Sequence, residues 1–323
     1  MNTRFCPTCR RHFGTLDTCP EDGVDLLPLP SAYPSEGTVI NGEYVIMRTI
    51  GTGGMSCVFE GYEEATGHVI ALKVLDPRLA LHPYTIERFY RQARISMQLD
   101  HPNLVKVLFF GPSDAGFHLI AMNRLRGERL TDVLVRRKHL PWQRAVHITT
   151  ELCLALGHVH GRGFVHRDLK PDNIQVSRTP GGGDALKLLD FGVAAVTSPG
   201  GDETEPDEVL GTPSYMSPEQ IRGARLDGRS DMYALGVLLY EMLAGKRPFR
   251  TDDPVLACRM HLYDPPPQLA SELPEGHEVP PALIALTHEL LLKSRSSRVP
   301  SVGALLSRLA ALNPAEGLLS RAL

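Results

Sequence analysis

The stretch HRDLKPDN, residues 166–173, puts a carboxylate, an ammonium and an amide into one short loop. Asp168 could take a proton from a hydroxyl nucleophile. Lys170 could offset charge on a phosphoryl group in flight. Asn173 and the later Asp190, in LLDFG, supply hard oxygens suited to Mg²⁺. Phosphoryl transfer has a loose transition state, so a protein serves it mainly by positioning groups and neutralising charge. A second stretch, GTGGMSCV at 51–58, adds a phosphate cradle. Glycines at 51, 53 and 54 let the backbone approach a polyphosphate and donate N–H groups to it. No Gly-Lys-Ser/Thr follows, so this is not a P-loop. Lys73, in IALK, is placed to reach phosphates from beside that loop.

A different chemistry opens the chain. FCPTCRRHFGTLDTCPEDG, residues 5–23, holds Cys6, Cys9 and Cys19. It contains two similar turns, CPTC and CPED, and the second has Asp22 where the first has Cys9. Zinc accepts carboxylate oxygen as well as thiolate. Asp22 is therefore the first candidate for a fourth ligand and His12 the second. A ligand from elsewhere, or no metal, are the remaining readings. The other cysteines, Cys57, Cys153 and Cys258, are scattered. Without a secretory signal the expected compartment is the cytoplasm, where thiols stay reduced and clustered cysteine points to metal more than to disulfide.

These groups need a scaffold, and the chain offers one in two parts. YVIMRTI, SCVFEGYE and HVIALKVL read as three successive antiparallel strands. TIERFYRQARISMQL (85–99) has helical periodicity, and VKVLFFG and FHLIAM return to strand character. After about residue 127 helical patterns dominate, in LTDVLVRR, RAVHITTELCLALGHVHGRG, DMYALGVLLYEMLAG and PALIALTHELLLK. A small β-rich lobe followed by a large helical lobe is an α+β arrangement. PGGGDA (180–185) reads as a hairpin turn, and PLPSAYPSEG (28–37) has linker composition. The composition is that of a soluble globular protein, with 42% hydrophobic and 22% charged residues. A net charge of −3 gives no support to a nucleic-acid or anionic-membrane role. The longest apolar run, near YALGVLLYEMLAG, is too short to span a bilayer.

From about Tyr44 to Leu312 the chain resembles the bacterial eukaryotic-like serine/threonine protein kinases, on the strength of the glycine loop, IALK, HRDLKPDN, DFG and GTPSYMSPEQ in the family order. The resemblance implies a two-lobed kinase fold that transfers the γ-phosphoryl group of ATP, with Mg²⁺, to hydroxyls of protein substrates. The expected organisation is a zinc-ribbon-like segment at 1–27, a linker at 28–43, a kinase domain at 44–312 and a tail at 313–323. The small lobe would span 44–122 and the large lobe 123–312. Asp168 becomes the catalytic base, Lys170 its cationic partner, and Asn173 and Asp190 the Mg²⁺ ligands. Lys73 becomes the ligand of the α- and β-phosphates. ATP would be enclosed by Ile50, Gly51, Thr52, Gly53, Gly54, Met55, Ser56, Val58 and Ala71, with Met122 as gatekeeper and Asn123 to Leu125 as hinge. Thr212 resembles the threonine that faces the catalytic loop. Glu219 would pair with Arg298, and Asp231 would steady the catalytic-loop backbone. Arg167 would bind a phosphorylated residue of the activation segment. Thr204 is the leading candidate, ahead of Thr197 and Ser198. The acidic run GDETEPDE either stands in for that phosphate in part or is only a solvated loop. His158 and His160 read as packing or surface residues.

Three positions depart from the family. Ser56 replaces a loop glycine. Gln92 stands where a helix glutamate would pair with Lys73, and an amide cannot neutralise an ammonium. Glu87, five residues earlier, lies about 140° round the helix. Gln175 replaces an apolar residue under adenine, where an unpartnered amide costs about 1–3 kcal/mol. The expectation is an active kinase whose site is weakened by these changes or assembled with a regulatory partner at the N-terminal segment. The alternative is a pseudokinase scaffold that binds nucleotide without much transfer.

Overall fold

The computed structural model describes residues 4–9, 11–14, 16–179, 181, 183–190 and 213–312. The chain divides into two compact units, one of residues 1–100 and 105–125, the other of residues 101–104 and 126–323. The division falls near, and not at, the expected lobe boundary after residue 122.

The first unit is built on a six-stranded antiparallel sheet of order β3-β4-β5-β6-β8-β7. Its strands are β3 (Val39–Ile40), β4 (Tyr44–Thr52), β5 (Ser56–Glu63), β6 (Val69–Leu75), β7 (Val107–Pro112) and β8 (His118–Asn123). A separate pair, β1 (Arg4–Phe5) and β2 (Leu27–Pro28), belongs to the cysteine segment. Strand β6 lies centrally between β5 and β8 and is buried from Ile70 onward, which explains its near-continuous apolar run. The one interruption is Lys73, itself buried. Ile40, Ile46, Phe59, Leu72, Leu119 and Ala121 belong to the core under this sheet. Helix α1 (Pro83–Met97) starts on a proline, whose fixed φ suits the first turn. It buries Ile86, Phe89, Tyr90, Ala93 and Ile95. The stretch expected as a linker is packed. Its last residues form β3, which pairs with β4, and Tyr33 packs on the sheet core.

The second unit is helical with a small sheet of order β11-β10-β9, from β9 (Glu128–Arg129), β10 (Ile174–Arg178) and β11 (Asp184–Leu188). Strands β10 and β11 pair antiparallel, β11 beginning within the PGGGDA stretch at Asp184; residues 180 and 182 of that stretch lie outside the described residues. The helices are α2 (Leu130–Arg137), α3 (Trp142–Gly161), α4 (Pro218–Ile221), α5 (Gly228–Ala244), α6 (Pro254–Tyr263), α7 (Leu269–Glu272), α8 (Pro281–Leu290) and α9 (Val302–Leu312). Helix α5 is buried almost throughout, which fits its apolar composition. Helix α4 is only four residues long and is held by a capping box, in which Ser217 and Gln220 satisfy each other's backbone N–H groups. Among the described residues, no helix is long and apolar enough to cross a membrane.

Candidate active site

The loop between α3 and β10 carries the candidate proton acceptor. Lys170 Nζ donates to both carboxylate oxygens of Asp168, at 3.0 and 2.8 Å. Asn173 Nδ2 donates to the Asp168 carbonyl at 2.8 Å and to its Oδ2 at 2.9 Å. The side-chain amide of Asn173 thus spends its N–H groups inward, which leaves its carbonyl oxygen as a hard donor atom. The Leu189 N–H donates to the Asn173 backbone carbonyl at 2.8 Å, so the residue preceding Asp190 is tied to this loop. Asp190 itself takes a positive φ of 36°, a conformation uncommon for a non-glycine residue.

Asp231, near the start of α5, fixes the backbone of this loop from below. It is 1% exposed. Its Oδ1 accepts the Arg167 N–H at 2.9 Å, and its Oδ2 accepts the His166 N–H at 2.9 Å and His160 Nε2 at 2.7 Å. Burial opposes ionisation here, but the His160 hydrogen bond, the neighbouring histidines and the backbone donor outweigh it and hold the carboxyl below its ordinary value. Arg167 has φ 67°, a left-handed conformation that these bonds stabilise, and its carbonyl accepts from Gln220 Nε2 at 2.8 Å. His160 is therefore more than a packing residue. A helical histidine carries no local sign of its partner, 71 residues on. The one trace in sequence is Gly228, where a Cβ would lie 2.5 Å from the His160 ring. His166 is wholly buried, and burial lowers its pKa.

In the first unit, β4 and β5 form the hairpin that bears the glycine loop. Gly51 pairs with Val58 and Thr52 with Cys57, and the Gly53 N–H closes the tip on the Ser56 carbonyl at 2.8 Å. Ile50 sits at an irregularity between Thr49 and Gly51. Gly54 has open space where a Cβ would be, and Ser56 is buried. The Met55 carbonyl accepts the Asp76 N–H at 2.9 Å, which ties the loop to the end of β6. Lys73 pairs across the sheet with Val58 on one side and Ile120 on the other. Ala71 pairs with Met122. The candidate phosphate and adenine residues of this unit thus share neighbouring positions on β5, β6 and β8. The segment from Asn123 to Leu125 is pinned, since Asn123 N–H donates to the Lys106 carbonyl at 3.0 Å and Arg124 Nε to Glu60 Oε2 at 2.7 Å. Sequence reading missed the Arg124–Glu60 pair, because charges 64 residues apart share no local signal. Gln92 is half-buried on α1, and Glu87 pairs with Arg94 on the same helix. Gln175, half-buried in β10, lies opposite Lys187 and Arg129.

Beyond residue 212 the chain is again described. Thr197, Ser198, Thr204 and Thr212 lie outside the described residues. Glu219, on α4, makes a buried two-point pair with Arg298, at 2.6 and 2.8 Å. Arg298 also donates to the carbonyls of Arg229, Leu292 and Lys293, so all five of its N–H groups find acceptors. Ser214 is anchored by His261, whose Nε2 bonds its carbonyl at 3.1 Å while Nδ1 meets the Tyr233 hydroxyl at 2.9 Å. Burial drives the His261 pKa down to about 3.

The cysteine segment forms its own cluster. The Cys6, Cys9 and Cys19 sulfurs and an Asp22 oxygen lie within 4.8 Å of one another. Backbone N–H groups of Thr8 and Cys9 point at Cys6 Sγ, both at 3.3 Å, and that of Asp22 at Cys19 Sγ, at 3.4 Å. Such donors stabilise thiolate charge. His12 is outside this group and forms a backbone bridge with Phe5.

Residues 44–308 match the protein kinase domain family. Among curated relatives, the chain is 39% identical over 280 residues to serine/threonine-protein kinase pkn3 of Myxococcus xanthus, covering 86% of this chain and 51% of that protein. It is 35% identical over 283 residues to serine/threonine-protein kinase PknA of Mycobacterium tuberculosis, covering 86% of this chain and 63% of that one. The chain thus spans about half the length of the curated relatives it matches. The solved kinase domain of Mycobacterium tuberculosis PknI is similar with a TM-score of 0.66 and 27% identity, over 86% of this chain and 99% of that one. With the family matched over most of its length and the loop geometry of Asp168 in place, the chain belongs to the protein kinases.

Proposed function

We propose that this protein transfers the γ-phosphoryl group of ATP to serine or threonine hydroxyls of protein substrates. The observation that carries the reading is the Asp168 carboxylate held between Lys170 Nζ and Asn173 Nδ2. Held in that way, Asp168 accepts the proton of the attacking hydroxyl, whose oxygen forms the new bond to phosphorus as the bond to the ADP oxygen breaks. Lys170 offsets charge on the group in transit. Lys73 and the N–H groups of the glycine loop hold the phosphates, while Ala71, Met122 and the pinned 123–125 segment take the adenine. Asn173, through its side-chain carbonyl oxygen, and Asp190 fit a hard divalent cation such as Mg²⁺. The bound cation supplies charge neutralisation on the phosphates.

Arg167 is the acceptor for a phosphorylated residue of the activation segment, Thr204 being the leading candidate. The cluster of Cys6, Cys9, Cys19 and Asp22 is a structural Zn²⁺ site, since three thiolates and one carboxylate complete a tetrahedral set. The pseudokinase alternative has no support in this arrangement, because Lys73, Asp168, Asn173 and Asp190 are all present. Incubation with Mg·ATP and a generic basic protein substrate tests the enzyme reading. Phosphate incorporation by the native chain is expected, with loss in Asp190→Ala. Equal incorporation by both would refute it.

A further inference from the structure

The cysteine segment has a core too small to fold unaided. Its own buried cluster is Cys6, Cys19 and Leu26, with Cys9, Phe13 and Val24 packed around them. Half of that nucleus is thiol. Units below about 40 residues generally need a metal, a disulfide or a partner to hold their shape. The cysteines are free thiols, which leaves metal and partner. The partner is visible in the same unit of the chain. Phe5, the residue before the first candidate ligand, is fully buried and its ring lies 4.7 Å from that of His118 on β8. His118 is 2% exposed, and its Nδ1 meets the Tyr90 hydroxyl of α1 at 2.7 Å. Two further anchors follow along the chain. A Cβ on Gly116, in the β7–β8 turn, would lie 1.6 Å from the Pro28 carbonyl oxygen, so β2 is seated against that turn with no clearance. Tyr33 lies 6.1 Å, ring to ring, from Phe59 of β5.

We propose that metal binding at Cys6, Cys9, Cys19 and Asp22 docks the N-terminal segment onto the β-rich unit and thereby fixes the setting of helix α1, through Phe5, His118 and Tyr90. The inference rests on the zinc reading above. Tyr90 and Gln92 lie about 160° apart around α1, on the two borders of its buried face. A helix held at Tyr90 cannot roll without carrying Gln92 with it. The segment is thus an intramolecular brace, and its removal frees the helix to turn. Gln92, half-buried on the other border, carries an amide and so cannot make an ion pair there.

The test uses the full chain in three forms: purified with zinc, treated with a chelator, and as Phe5→Ala with zinc. Metal content is measured directly, and amide hydrogen exchange is followed in α1, with α8 as control. The expected result is a single zinc in the native protein and in Phe5→Ala. Exchange in α1 rises by about tenfold in the chelated and Phe5→Ala forms, while α8 is unchanged. Should Phe5→Ala fail to retain zinc, Phe5→Leu, which keeps apolar bulk but loses the ring against His118 and leaves the His118–Tyr90 bond in place, is held to the same result. Absence of zinc from the native protein overturns the metal reading and the brace with it. Zinc present, with α1 exchange equal in all forms, overturns the brace and leaves the metal site standing.

Discussion

Replacing Asp231 with asparagine removes one oxygen from a buried site that serves three donors. The amide oxygen can keep the position of Oδ2, accepting from the His166 N–H and His160 Nε2. The amide NH₂ then faces the Arg167 N–H, donor against donor. One buried hydrogen bond is lost and one N–H is left without an acceptor, a cost of about 1–3 kcal/mol. Asp231→Ala leaves both backbone N–H groups unsatisfied, at about 2–6 kcal/mol in all. The lost bond is the one that holds Arg167 at φ 67°, next to Asp168. A displaced catalytic group can lose about a hundredfold in rate. Urea unfolding should therefore show Asp231→Asn less stable by about 1–3 kcal/mol, and steady-state assays a kcat lower by about ten- to a hundredfold. The KM for ATP should hardly change, because Lys73 and the glycine loop are untouched. Stability within about 0.5 kcal/mol of the native protein, together with an unchanged kcat, would refute the reasoning.

Glu219→Leu strands a fully buried guanidinium and should cost about 3–5 kcal/mol in urea unfolding, and the double variant with Arg298→Met should be more stable than Glu219→Leu alone. Stability should also fall as the pH drops below about 6.5, before most carboxylates titrate. His166 and His261 have pKa values lowered by burial, so they stay neutral in the fold while the unfolded chain takes up protons. Their contribution is complete above the unfolded value and is lost below it, and unfolding midpoints measured from neutral to mildly acid pH should show His261→Gln with a shallower slope. Gln92→Glu should raise the phosphorylation rate if a missing charge on α1 limits the enzyme; an unchanged rate rejects that account.

Local chemistry was legible in the sequence wherever it is carried by consecutive residues. The glycine hairpin, the loop from His166 to Asn173 and the paired cysteine turns could be read because turn geometry and ligand spacing act over a few positions. Several helices were also readable, α2 from its apolar spacing and α5 from its apolar bulk. Helix α6 was missed, since Leu256 and Tyr263 are exposed there and its apolar residues do not form a buried stripe. Tyr33 was hidden for another reason. A proline-rich segment that packs along a sheet has the same composition as one that does not. The His160–Asp231 and Arg124–Glu60 bonds join residues 71 and 64 positions apart, and nothing near either partner announces the other.

The Glu219–Arg298 pair also bears on how the chain is made. The two residues stand 79 positions apart, and Arg298 lies near the end of the helical unit. During synthesis α4 emerges long before its guanidinium partner, and the whole of α5 to α8 is made in between. The short helix α4 has its capping box early but gains its buried ion pair only when almost the whole domain has left the ribosome. A chain truncated before Arg298 can build the glycine hairpin and still lack the buried Glu219–Arg298 pair. The 79-residue separation thus ties completion of this buried pair to synthesis of nearly the whole helical unit.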